Sequence, residues 1–497
     1  MNKRYLFLRV SIIPLIVLAL LGLTFNQTII TGNETVSVTI VYTNDIHGRV
    51  EEEEPVAMGY AHIAAKVKEI KNVNKNVLLV DAGDTFQGSS AASLSQGESI
   101  VKIMNSMDYD AMVAGNHDFG YGWQRLGELS EMADFPVLAA NVCRPDGGEL
   151  LELSTIKELG GVRIGIFGLT TPETLRKTHP RNVEGLVFDD PVQSAKKMVE
   201  ILRDKCDLLI ALVHLPLIDT EDCCARLAEE VEGIDLIVSG HSHVPLENGM
   251  IVNDTYIVQS GEYGGNLGVV NIVFRNGVPE EIKASLYAPS WTEEGLKTDE
   301  EVGSLIAEIA KENEKNLSKV IGRTGTLLNG EREQVRTGAT NLGSLVAEAM
   351  LEATGADAAI MNGGGIRTSI EAGEITMRDI LNVLPFNNYV ILTEAKGYDI
   401  VQALEHGVSI YPEPSGRYPQ VAGIDFRFAP AEEPGSRLIG VKIAGQELEP
   451  EKMYRIALND FTAAGGDGYT MLEKGRVLGE FGLLSDIVAE FIQENFK

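Results

Sequence analysis

A chain of 497 residues with 44% hydrophobic and 23% charged content exceeds one ordinary core and excludes a disordered polymer; two or three globular domains are expected. Its formal net charge of -30 excludes a nucleic acid polymer as natural partner, because such a surface repels phosphate backbones. An anionic small molecule must therefore meet a locally positive site, built from metal ions or a few placed arginines.

At the N-terminus, Lys3 and Arg4 precede an apolar run from Val10 to Leu23 with Arg9 at its edge, so residues 1–25 read as an export signal. The run is shorter than the roughly 20 apolar residues of a membrane-spanning helix, which favours a cleaved signal. Membrane attachment through an uncleaved anchor is the alternative, since no Ala-x-Ala site follows Leu23. Both readings imply an exported protein, whether periplasmic, cell-surface or secreted; the oligomeric state is not legible. The cysteines Cys143, Cys206, Cys223 and Cys224 lack metal-knuckle or CxxC spacing. Export would permit disulfides, but adjacent Cys223 and Cys224 suit packing or separate partners rather than a mutual bridge.

From Val36 onward, short apolar runs alternate with helical patterns, as in an α/β layered domain over residues 36–290. Strands are predicted at Val38 to Tyr42, Val77 to Val80, Ala111 to Ala114, Leu208 to Val213 and Leu236 to Val238. Helices are predicted at Ala61 to Ile70 and Val192 to Leu202. Near residue 290 the character changes. Thr298 to Glu301 has the form of a capping box, and Val302, Leu305, Ile306 and Ile309 keep helical spacing in a linker helix over 298–318. Residues 320–497 carry enough strands and helices for a second core.

Each of the five strand-like runs ends in a polar cluster: Asp45-Ile46-His47, Gly83-Asp84, Gly115-Asn116-His117-Asp118, Val213-His214 and Gly240-His241-Ser242-His243. Singly, each is ordinary turn chemistry. Together they hold five of the eight histidines, and open α/β folds gather ligands at the carboxyl ends of their strands. His62, His179 and His406 lie outside and receive no role. Imidazole with carboxylate and amide oxygens suits zinc, manganese, iron or cobalt, and a carboxylate such as Asp84 could bridge two ions.

In this order, DIHG, GD, GNHD, VH and GHSH resemble the calcineurin-like metallophosphoesterases. Further on, Arg336 with TNLG, the NGGGIR run from Asn362 to Arg367, Leu384-Pro385-Phe386, and Phe461 with Asp467 in FTAAGGDGY resemble the C-terminal domain of the bacterial and animal 5'-nucleotidases. The resemblance covers residues 36 to 490 and implies a four-layer α/β/β/α sandwich, a linker helix and a C-terminal α/β nucleotide-binding domain.

It further implies two divalent metal ions, one held by Asp45, His47, Asp84 and His243 and the other by Asp84, Asn116, His214 and His241. The pair would activate a water for in-line attack on phosphorus. His117 would stabilise the transition state as a non-ligand. The family commonly orients that histidine with a carboxylate three residues later, where this chain has Gly120; Asp118 or a residue from elsewhere would have to serve. For the substrate, Arg336 and Arg367 would clamp phosphate or carboxylate, Asn362 would contact the base, and Phe386 and Phe461 would sandwich it, with Asn388 near the Phe386 loop. Asp467 would take the ribose hydroxyls.

The activity so implied is hydrolysis of nucleoside 5'-monophosphates, with di- and triphosphates or UDP-sugars as further substrates. A 2',3'-cyclic nucleotide phosphodiesterase/3'-nucleotidase would use the same metals, though such relatives tend to carry tyrosines where Phe386 and Phe461 stand. A sulfur-oxidising hydrolase would have no need of a stacking pair. A non-catalytic nucleotide-binding surface module would not need every ligand position filled.

Overall fold

A computed structural model describes residues 35–497 except 176, 179, 219 and 290–296. The expected export signal and His179 lie outside the described residues.

Every predicted strand of the first half forms: β1 (Thr35–Thr43), β2 (Val77–Asp81), β3 (Ala111–Val113), β4 (Val162–Thr170), β5 (Leu208–His214) and β6 (Leu236–Ser239), with β4 an addition to the sequence reading. One six-stranded sheet runs Val278–Tyr287, Leu267–Arg275, β1, β2, β3, Val137–Leu138; the other runs Met250–Val252, Thr255–Val258, β6, β5, β4, Ser154–Leu159. Neighbours β1, β2 and β3 are parallel, as are β4, β5 and β6.

Alternation along the strands generates the layers. Val38, Ile40 and Tyr42 of β1 meet Leu208, Ile210 and Leu212 of β5 between the sheets. Their neighbours point the other way: Val41 and Leu79 enter a core beneath helices, and Leu209, Ala211 and Val213 enter a second one on the far side. The result is helix, sheet, sheet, helix. Each such side chain, fully buried, stabilises by about 1.5–3 kcal/mol, and burial on both faces explains runs without polar alternation.

The helix α1 (Tyr60–Val73) extends beyond the predicted span, and α2 (Pro191–Leu202) begins where the Asp190 side chain accepts from the Gln193 amide with Pro at N1. The linker helix α3 (Glu300–Leu317) is capped by Asp299, whose carboxylate accepts from the Val302 amide at 3.1 Å, and not by Thr298. A carboxylate suits the positive helix terminus, and the Lys68 ammonium 2.7 Å away fixes it in place. Val302 and Ile309 pack into the first domain's core, while Glu314 pairs with Arg378 of the second half.

Beyond α3, the helix α4 (Asn341–Thr354) precedes β7 (Ala358–Asn362), β8 (Tyr389–Lys396), α5 (Gly397–Gly407), β9 (Met453–Asn459), β10 (Arg476–Leu483) and α6 (Leu484–Asn495). The sheet order is Pro419–Ala422, β7, β9, β8, β10. On one face it packs under α4 and α6, and on the other against α5, so this half buries two cores of its own. All four cysteines are free; Cys224 is packing, its thiol 3.2 Å from the Ser239 hydroxyl. Among the described residues no helix is long and apolar enough to cross a membrane.

The two halves touch through polar contacts. Ser93 Oγ donates to Asp486 Oδ2 at 2.9 Å, and Lys177 Nζ donates to Glu480 Oε1 at 2.8 Å. Burial raises the Asp486 carboxyl from 3.8 to about 6. The fold thus favours its neutral form, and this contribution to stability is complete below about pH 4 and lost as pH rises through about 6. Asp486→Asn, which keeps an acceptor for Ser93, is expected to raise the thermal unfolding midpoint at pH 8 and leave it nearly unchanged at pH 4. Equal shifts at both pH values would refute the assignment.

Candidate active site

The carboxyl ends of β1, β2 and β3 in one sheet face those of β5 and β6 in the other, and the five polar clusters meet there. Tight backbone pairing pins the loops together: the Asp45 amide donates to the Gly83 carbonyl, the His47 amide to the Asp84 carbonyl, each at 2.9 Å. Asp45, His47, Asp84, His241 and His243 all have positive φ, between 50° and 81°. Residues other than glycine rarely adopt that region, at a cost of order 1–3 kcal/mol each, and they cluster where function demands it. Gly115 permits a close approach to Asp84, since a Cβ there would lie 2.2 Å from Asp84 Oδ1.

Asp118 holds these turns. Its carboxylate accepts from the amides of Asp84, Thr85, Phe86 and Gly115 at 2.7–2.9 Å. Burial, with Asp84 nearby, nonetheless pushes its carboxyl up to about 6.

Three overlapping groups of donors share the cleft among the described residues. Asp45, His47 and His243 form one, Asp84, His214 and His241 a second, and His47, Asp84 and His117 a third between them, with ligand atoms within 4.8 Å of one another in each. His47 Nε2 lies 3.3 Å from His243 Nε2, and His214 Nε2 lies 3.1 Å from Asp84 Oδ2. His241 Nδ1 lies 2.8 Å from Asn116 Oδ1, which brings in the amide ligand. Among the described residues, buried His47 Nδ1 has no hydrogen-bond partner. Nitrogens crowded against one another and against carboxylates, with one of them orphaned, fit a divalent cation held by nitrogen and oxygen donors.

Charge is polarised accordingly. Burial disfavours the Asp84 carboxylate, but His214 and His117 outweigh it and hold the group well below its usual range. Burial opposes the His214 cation too, yet Asp84 raises it to about 9. For His47 burial and the neighbouring His117 win, and its ring falls to about 3.

His117 sits over the same cleft, its ring 4.9 Å from that of His47 and 4.6 Å from that of Tyr389. Its Nε2 is 4.0 Å from Asp84 Oδ2, farther than the His214 contact. The space an orienting carboxylate at position 120 would take is filled by the Gln87 amide: a Cβ at Gly120 would lie 2.0 Å from Gln87 Oε1. Asp118 is committed to backbone amides and does not take that part. Among the described residues the carboxylate nearest His117 Nε2 is Glu480 of the second half, at 3.8 Å.

The predicted substrate residues assemble on the second half. Asn362 Nδ2 donates to Asp467 Oδ2 at 2.8 Å, and the Arg367 guanidinium lies 5.5 Å from the Phe386 ring. Burial, then Arg332 and Arg367, lower the Arg336 pKa, and its buried Nε has no partner among the described residues. Phe386 is 49% exposed and Phe461 45%, as open stacking faces would be. Asn388 donates to Asp460 Oδ1 at 2.6 Å, tying the Phe386 loop to the residue before Phe461.

These groups do not line the metal-type cavity of about 340 Å³; from the second half Asn387, Tyr389, Asp460 and Glu480 do. Sequence reasoning missed those four, and also Arg49, Lys177 and Tyr263 on the cavity wall. Arg49, two residues past His47 in the same loop, was within reach of a motif argument. Tyr389 and Glu480 were not, since they arrive from distant strands.

A model of the calcineurin-like phosphoesterases matches residues 38–245, and one of the 5'-nucleotidase C-terminal domain matches residues 320–474. The trifunctional nucleotide phosphoesterase protein YfkN of Bacillus subtilis is 33% identical over 87% of this chain, and the chain spans 32% of that relative's length. The 5'-nucleotidase of Vibrio vulnificus is 31% identical, with 93% of this chain and 91% of that one covered. The crystal structure of a 5'-nucleotidase precursor from Thermus thermophilus has a TM-score of 0.57 and 30% identity, covering 93% of this chain and 97% of that one. Both halves are matched in order, and the chain belongs to the 5'-nucleotidase family, a calcineurin-like phosphoesterase domain followed by a 5'-nucleotidase C-terminal domain.

Proposed function

We propose that the protein hydrolyses nucleotide phosphate esters, chiefly nucleoside 5'-monophosphate and water to nucleoside and phosphate, with nucleoside di- and triphosphates and UDP-sugars as further substrates. The observation that carries this is the single cleft in which Asp45, His47 and His243 meet Asp84, His214 and His241, with arginines, asparagine, aspartate and half-exposed phenylalanine rings presented on the second half.

In this reading Asp45, His47, Asp84 and His243 hold one divalent cation, and Asp84, Asn116, His214 and His241 hold the other. Two such ions would acidify a shared water and neutralise phosphoryl oxygens. Zinc, manganese, iron and cobalt all suit the donors. The chain's own part is positioning. Arg336 and Arg367 grip anionic oxygens, Phe386 and Phe461 stack the base, Asn362 and Asp467 engage base and ribose, and His117 steadies charge on the phosphoryl group. Phe386 and Phe461 in place of tyrosines support the monophosphate reading over the cyclic one.

Because the clamp and stacking residues do not line the metal-type cavity, we propose that the second domain turns about α3 to deliver phosphate. Export is supported by Lys3, Arg4 and the run that follows them, and by a relative described as a precursor.

Purified protein should release phosphate from AMP when manganese or zinc is added and stop with chelator; no metal-dependent turnover on any nucleotide would overturn the proposal. Asp84→Ala, which removes the shared carboxylate, should lower kcat at least about 10³-fold. Stacking on an aromatic is worth about 1–3 kcal/mol per base, so Phe461→Ala should raise KM roughly tenfold with little change in kcat. Oxidising a Ser93→Cys, Asp486→Cys pair should lock the observed domain arrangement and arrest turnover until reductant is added. Full activity in the oxidised form would exclude the rotation.

A further inference from the structure

His241 and His243 stand two residues apart in one loop, yet they turn opposite ring nitrogens toward the cleft. His241 presents Nδ1, 2.8 Å from Asn116 Oδ1. His243 presents Nε2, 3.3 Å from both Asp45 Oδ1 and His47 Nε2. Each outward nitrogen meets a carboxylate that no motif marks. His241 Nε2 lies 3.0 Å from Glu173 Oε2, and His243 Nδ1 lies 2.6 Å from Glu262 Oε2. Another ligand histidine is fixed differently: His214 Nδ1 lies 2.7 Å from the Ala82 carbonyl, leaving Nε2 toward Asp84.

The two glutamates come from separate places. Glu173 sits on the short 3-10 turn Pro172–Leu175 that follows β4. Glu262 precedes Tyr263, whose backbone has φ of 58° and whose amide donates to the Asp45 carbonyl at 2.7 Å. That bond ties the Glu262 turn to the loop of a donor in the same group as His243. A carboxylate accepting from the far side of an imidazole fixes the N–H outward, sets the ring plane and makes the inward nitrogen a better electron-pair donor. Without it, either ring at this loop could flip and present the wrong nitrogen.

We propose that Glu173 and Glu262 are positioning residues, each dedicated to one of the two cation positions. Glu173 acts through His241 on the position shared with Asp84, Asn116 and His214. Glu262 acts through His243 on the position shared with Asp45 and His47. This rests on the two-cation reading above, and goes beyond it by assigning an outer carboxylate to each position separately.

The test is a manganese titration of metal-stripped full-length protein by calorimetry, together with anomalous scattering from crystals soaked at a concentration between the two affinities. The parent is expected to bind two ions. Glu173→Ala should weaken one of them about 10–100-fold and leave the other nearly unchanged, with anomalous signal lost beside His241. Glu262→Ala should do the converse, with signal lost beside His243. Glu173→Gln and Glu262→Gln, which keep an acceptor oxygen, should recover part of each loss. Equal weakening at both positions by either alanine variant, or none at either, would overturn the assignment while leaving the two-cation reading intact. A parent that binds no manganese would overturn both.

Discussion

One carboxylate organises the first domain's chemistry. Asp84 is buried where a charged group is ordinarily expelled, and it stays ionised because the His214 and His117 rings face it at 3.1 and 4.0 Å. At and around it, Asp45, His47, Asp84, His241 and His243 take left-handed backbone conformations. That strain persists because the surrounding sandwich over-determines it. Two six-stranded sheets fix where the strands stop, and the four amides that converge on Asp118 fix how the turns between them run.

The second domain shows the complementary arrangement. Where the first is rich in buried anions and imidazoles, the second places Arg336 and Arg367 near each other and leaves two phenyl rings half open. Neither half has the complete machinery. Contacts between them include the polar pairs of Ser93 and Lys177, the pairing of α3 with Arg378, and Tyr389 and Glu480 set against His117.

Much of this was legible in the sequence, for reasons that can be traced. Strands buried on both faces read as unbroken apolar runs, and parallel strands must bring their carboxyl ends to one side, so the polar clusters after β1, β2, β3, β5 and β6 announced a common site before any coordinates did. Local chemistry misled at the start of α3, where Thr298 and Glu301 fit a capping box but Asp299, fixed by Lys68, makes the cap. What escaped altogether depends on pairs distant along the chain. Glu173 is separated from His241 by 68 positions, and Glu480 approaches His117 from another domain. No spacing rule links such residues, because register, loop path and domain docking decide whether they meet.

The Gln87 amide lying over Gly120 couples these two positions. An acidic side chain introduced at 120 would have to push the end of the glutamine aside, and shortening the glutamine would open a void beside the turn that carries His117. The room a carboxylate at 120 would occupy is thus already held by an uncharged amide.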